Sequence, residues 1–168
     1  MKTKLLIILG IILSNFSFAQ IQIPNDAISM TEYPNFYTQT VNKLNNVILN
    51  KANYYGQPLS VFLQDLNQNN IIIKNYDPGP YSNKHLKLSF IWDLDTVINI
   101  GKNNNYVEPF ISISFKEPFI YQQAKTIMNN GYHSYWNPQA ENFFKNLIID
   151  KIEFWYVRGL TDNTANPK

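Results

Sequence analysis

Few residues in this chain could do acid–base, nucleophilic or metal chemistry, and their spacing narrows the choice further. There are two histidines, His85 and His133, and no cysteine. Thiolate metal sites, iron–sulfur clusters, cysteine nucleophiles and disulfides are therefore excluded, and any metal site would draw mostly on carboxylates. No metal and no cofactor is expected. Asp93 and Asp95 form an Asp-x-Asp pair, which holds calcium or magnesium only when several further oxygens join it. No twelve-residue calcium loop surrounds them, so they read as residues that end a strand and shape its turn. Glu108, Glu117, Glu141 and Glu153 could furnish a glycoside-cleaving pair if two of them stood about 5 to 10 Å apart in a cleft. The chain has no nucleophile elbow, no His-Glu-x-x-His, no phosphate-binding glycine loop and no dinucleotide fingerprint.

What stands out instead is the aromatic stretch Gly131-Tyr132-His133-Ser134-Tyr135-Trp136-Asn137. It falls between two helical patterns, and loops held by a rigid scaffold carry function disproportionately often. Tyr132, Tyr135 and Trp136 combine a large rigid face with a polar tip, the chemistry of protein interfaces and of sugar stacking. His133 beside them is the candidate proton-transfer group of an enzymatic reading. A second candidate lies near the C-terminus, where Ile152-Glu153-Phe154-Trp155-Tyr156 alternates. If Phe154 faces the core, Trp155 and Arg158 turn toward the other side, provided that helices do not cover both faces. His85 opens a strand opposite Leu86, Leu88 and Phe90 and reads as a solvent-facing histidine beside Lys87.

The elements that must position these residues follow from periodicity. Phe36 to Ala52 repeats apolar residues every three or four positions, as does Leu59 to Leu66 after the Gly56-Gln57-Pro58 break, so two helices come first. Beyond Asn70 the period shortens to two. Strands are expected from Ile71 to the Asp77-Pro78-Gly79-Pro80 turn, from His85 to Trp92, over Thr96–Ile100 and over Phe110–Phe115. Helical spacing returns from Phe119 to Met128, with Gly131 suited to its left-handed cap. Asn137-Pro138 is a cap and first-turn pair for a helix holding Phe143, Phe144, Leu147 and Ile148. The short polar loops leave no room for parallel crossovers. The expected class is α+β: an antiparallel sheet of four to five strands, two N-terminal helices, and one or two helices before a final strand. A cystatin-like or other curved sheet is compatible with this order.

Residues 1–19 have the three parts of a secretory signal: Lys2 and Lys4, the apolar run Leu5–Leu13, and small Ser17 and Ala19 before a cleavage point. The apolar run is shorter than the roughly 20 residues a spanning helix needs, so no stable membrane insertion is expected after cleavage. The domain plan is a signal over 1–19, an extended lead-in over 20–34, one α+β domain over 35–160 and a flexible polar tail over 161–168. The chain has 14 basic and 12 acidic residues. Losing Lys2 and Lys4 leaves 12 against 12, with no clustered cations for nucleic acid or anionic lipid. The mature segment also lacks an Asn-x-Ser/Thr acceptor. The sequence therefore points to an exported bacterial protein, periplasmic or extracellular, and to a non-enzymatic module of inhibitor or immunity type that binds a protein partner. Its binding residues would be Tyr132, His133, Tyr135, Trp136, Trp155 and Arg158. A small protein that binds or cleaves an envelope glycan is the alternative.

Overall fold

The computed structural model describes residues 27–79, 82–130, 134–165 and 167–168, without the side chains of Leu94 and Lys102. The signal segment, the first part of the lead-in and the expected cap at Gly131 lie outside the described residues. Helix α1 spans Tyr33–Ile48. Just ahead of it Ser29 and Glu32 bond reciprocally: the Ser29 N–H donates to the Glu32 carboxylate at 3.1 Å, and the Glu32 N–H to the Ser29 hydroxyl at 3.3 Å. This is the capping-box arrangement, and it starts the helix within the expected lead-in. Tyr33, Tyr37, Leu44, Val47 and Ile48 make its buried face. A 3-10 turn over Lys51–Tyr54 and Gly56 at φ +79° then redirect the chain into α2, Leu59–Gln68.

Four strands follow: β1 Asn75–Pro78, β2 His85–Ser89, β3 Phe110–Phe115 and β4 Ile149–Trp155. They form one antiparallel meander in the order β1-β2-β3-β4. The α+β class and the meander agree with the periodicity, as does α4 (Tyr121–Asn130). Helix α5 (Pro138–Phe144) starts at its expected cap but ends at Phe144, leaving Leu147 and Ile148, expected inside it, in the turn that enters the last strand. The Asn137 side chain caps α5, accepting from the N–H groups of Gln139 and Ala140 at 2.9 and 3.0 Å.

One expected strand is a helix. Thr96–Ile100 lies inside α3, Leu94–Asn104. β-branched Thr96, Val97, Ile98 and Ile100 favour a strand locally, but Asp93 overrides them as an N-cap, accepting the Thr96 N–H at 2.6 Å. The burial confirms a helical period, with Thr96 and Ile100 inside and Ile98 and Asn99 outside. Asp93 and Asp95 thus begin a helix rather than end a strand. Two strand boundaries also move. The Ile71–Lys74 segment leads into β1 without joining the ladder as a strand, and β2 stops at Ser89 instead of reaching Trp92.

The sheet has two unlike faces. Tyr76, Leu86, Leu88, Ile111, Ile113, Ile152 and Phe154 join residues of α1, α2, α4 and α5 in the main core. A smaller cluster gathers Tyr33, Tyr37, Ile91, Ile100 and Val107. Along the other face, strand register sets Asp77, Lys87, Ser112 and Glu153 in one row and Asn75, Ser89, Phe110 and Trp155 in the next. Both sheet edges are covered, as edge strands must be to avoid pairing with other chains. The Tyr76 N–H donates to Ser134 O at 2.8 Å and the Trp136 N–H to Lys74 O at 3.1 Å, closing β1. Gln57 and Ile149 pair beside β4, whose far end receives the Lys168 N–H on Phe154 O at 2.8 Å.

Candidate functional sites around β1

The described part of the aromatic loop does its first work as backbone. Tyr135 bridges Asn75 as an extra edge rung, with Ser134 and Trp136 bonded on either side. Because side chains alternate along an extended segment, Trp136 and Tyr135 serve different surroundings. Trp136 stands edge-on to Tyr76 at 5.5 Å and stacks on Phe144 at 6.5 Å, so it is anchored in the main core while half-buried. Tyr135 instead stands edge-on to Trp92 at 6.3 Å on the polar face. Tyr132 and His133 lie outside the described residues.

The other two expected binding residues are remote from this loop. Trp155 belongs to the row Tyr135, Asn75, Ser89, Phe110, Trp155, four strand spacings from Tyr135, or about 19 Å. Its indole stacks on Phe110 at 5.9 Å, with the rings 7° apart and the Nε1–H buried without an acceptor among the described residues. Arg158 is exposed beyond the strand end, because Tyr156 at φ +54° breaks the alternation. The expected set is therefore divided between opposite edges of the sheet. His85 sits where expected at the start of β2, its Nδ1 2.7 Å from the Ser82 hydroxyl.

Two surfaces border β1. The first surrounds Ile72, which is 69% exposed. On one side a groove of about 530 Å³ runs between α2 and the Trp136 ring, with Leu63, Ile73 and Glu141 in its walls. On the other, a smaller hollow of about 170 Å³ is bounded by Phe36 and Phe90, with Lys43 and Lys74 at its rim. The main chain of Ile72 and Ile73 makes no hydrogen bond among the described residues. Periodicity reads this isoleucine triplet as the opening of a strand; because β2 ends at Ser89, the triplet finds no ladder partner there.

The second surface is a cleft of about 380 Å³ over the polar ends of β1 and β2. Its floor holds Asp77, Lys87 and Ser89, and its walls include Trp92, Val97 of α3, and Met128 and Ser134 on the far side. Lys87 is 3.7 Å from the Glu108 carboxylate and 4.5 Å from the centre of the Phe110 ring. The Asp77 carboxyl reaches solvent, yet the cleft walls keep enough water from it to raise its pKa above the ordinary carboxylate value, with Lys87 and Lys125 pulling the other way. Asp77, read as part of a turn, is the residue that periodicity misses here. Only the pairing register reveals that it shares a row with Lys87.

Among the described residues, no three of His, Cys, Asp and Glu come together as metal ligands would, and no helix is long and apolar enough to cross a membrane. Compared with known proteins, the chain matches no family model, no curated protein and no solved structure.

Proposed function

We propose that this is an exported bacterial binding protein, acting without catalysis, which captures an extended segment of a partner protein along Ile72 and Ile73. The observation that carries the reading is the open segment itself: an isoleucine 69% exposed between two grooves, on a backbone with no hydrogen bonds among the described residues. An added strand would satisfy that backbone and place alternate side chains against Trp136 on one side and Phe36 on the other, which is how strand addition combines affinity with specificity. Covering Ile72 would also contribute about 1.5–3 kcal/mol if its burial were complete. The signal-like residues 1–19 support export, and the balanced mature charge favours a protein partner over nucleic acid.

The test is affinity capture from envelope extract on immobilised mature chain, beginning at Gln20, with Ile72→Asp in parallel. One stoichiometric protein retained by the wild type and lost by the variant supports the reading. Equal retention on both, or retention on neither, overturns it.

A further inference from the structure

We propose that the cleft behind Asp77 binds an uncharged pyranose unit. This site is separate from the partner face, and its inference does not rest on that one. A pyranose has axial or equatorial C–H groups that pack on an aromatic ring and a rim of hydroxyls, each of which donates one hydrogen bond and accepts others. Its site must offer a flat apolar wall together with donors and acceptors on a rigid floor. Trp92 lines the cleft and supplies its aromatic surface, with the Tyr135 ring edge-on to it at 6.3 Å. The floor supplies Asp77 and Glu108 as acceptors, Lys87 as a donor and Ser89 as both.

Ser89 adds a hydroxyl to the cleft floor. It is only 5% exposed and lies on the polar face, since its neighbour Leu88 turns into the core. Its hydroxyl borders the cleft and makes no hydrogen bond among the described residues. The Ser89 hydroxyl keeps contact with solvent through the cleft, and a ligand hydroxyl can take the place of that water. The floor is also stiff. Asp77, Lys87 and Ser89 stand on paired strands, and Lys87 is held between Glu108 and the Phe110 ring.

The charge pattern selects among ligands. The charges around the cleft balance, Asp77 and Glu108 against Lys87 on the floor and Lys125 acting on Asp77 from α4, so no surplus of positive charge favours a phosphate or a second carboxylate, while the charged floor is unsuited to a purely apolar molecule. A neutral polyhydroxyl ligand meets neither objection. The volume of about 380 Å³ lies at the lower end of small-molecule sites and suits a short saccharide rather than a long chain buried throughout.

The experiment is isothermal titration of mature protein with cellotriose, maltotriose, mannotriose and tri-N-acetylchitotriose, with the corresponding monosaccharides alongside. Saturable binding of at least one is expected, weakened tenfold or more by Asp77→Asn and by Trp92→Ala and unchanged by Ile72→Asp. If Trp92→Ala fails to fold, Asp77→Asn decides alone, since it is nearly isosteric at an exposed carboxyl. No saturable binding across the panel, binding indifferent to Asp77→Asn, or tighter binding of glucose 6-phosphate than of glucose each overturns the proposal. Preference for a trisaccharide over its monosaccharide identifies a glycan chain as the source; equal affinity identifies a free sugar.

Discussion

The Ile72 face and the Asp77 cleft adjoin the same strand yet are made in opposite ways. At Ile72 the surface is defined by what the fold leaves uncovered: apolar side chains and a backbone that makes no hydrogen bond among the described residues. At Asp77 it is defined by what strand pairing brings together, polar groups that are far apart in sequence but neighbours on the sheet. Segment 134–136 contributes to both, with Trp136 beside the groove, Ser134 in the cleft and Tyr135 bonded between them. The open isoleucine surface is left where one strand ends early, whereas the polar cleft is assembled by strand register, so the two should respond differently to damage.

The largest effect should come from the residue on which the shared segment leans. Phe144 is fully buried, stacks with Phe115 and Trp136, and meets Phe119 and Tyr76 edge-on. Phe144→Ala should cost about 3–5 kcal/mol in urea unfolding, since the ring vacates a packed site. Partner capture and saccharide binding should then fail together on warming. If one survives well above the unfolding midpoint of the other, the two surfaces do not share a support.

That support was partly legible beforehand. The Asn137-Pro138 pair announces α5, and the alternation in Phe110–Phe115 and Ile152–Phe154 announces β3 and β4, because caps and period-two patterns are local signals. Val97-Ile98-Asn99-Ile100 misleads for an equally physical reason. Its β-branched residues prefer a strand by a few tenths of a kcal/mol each, and a single cap at Asp93 together with packing against Tyr33 and Ile91 outweighs them. The aromatic loop was legible as a feature, but not the division of labour within it, since Trp136 shows its core role only once Tyr76 and Phe144 are placed. The Asp77–Lys87–Glu108 grouping has no sequence signature at all. Asp77 and Glu108 are brought near by a hairpin and a helical excursion that spacing alone does not reveal.

A smaller change should separate support from contact. Asn137→Ala removes the acceptor for two α5 N–H groups and should lower stability by about 1 kcal/mol. Because Asn137 Nδ2 also donates to Tyr135 O at 3.0 Å, the loss loosens the rung beside Asn75. Hydrogen exchange should quicken at the Tyr76 and Trp136 amides more than in β3. Equal quickening throughout the sheet would mean that the loop and the sheet open as one unit, and the contrast between the two surfaces would lose its structural basis.

The smallest effect is the most selective, because it acts on the cleft alone. The Asp77 carboxyl titrates above the ordinary carboxylate value in the folded chain, chiefly because the cleft walls limit its hydration. The native state therefore holds that proton more tightly than the unfolded state, whose aspartates titrate near about 3.9. Its contribution to stability is fully present below the unfolded-state value and is lost as pH rises through the folded one. Asp77→Asn cannot ionise, so the variant should gain on the wild type as pH is raised from about 3 toward neutrality, with the common carboxylates cancelling in the difference. Saccharide affinity should move the other way over the same window. The ionised carboxylate accepts ligand hydroxyls more strongly than the protonated form, so binding should strengthen with pH in the wild type, and that rise should vanish in Asp77→Asn. Neither Ile72 nor Ile73 carries a titrating group. A partner-capture curve that follows the same titration would show that the partner reaches into the cleft, and that the two surfaces act as one site.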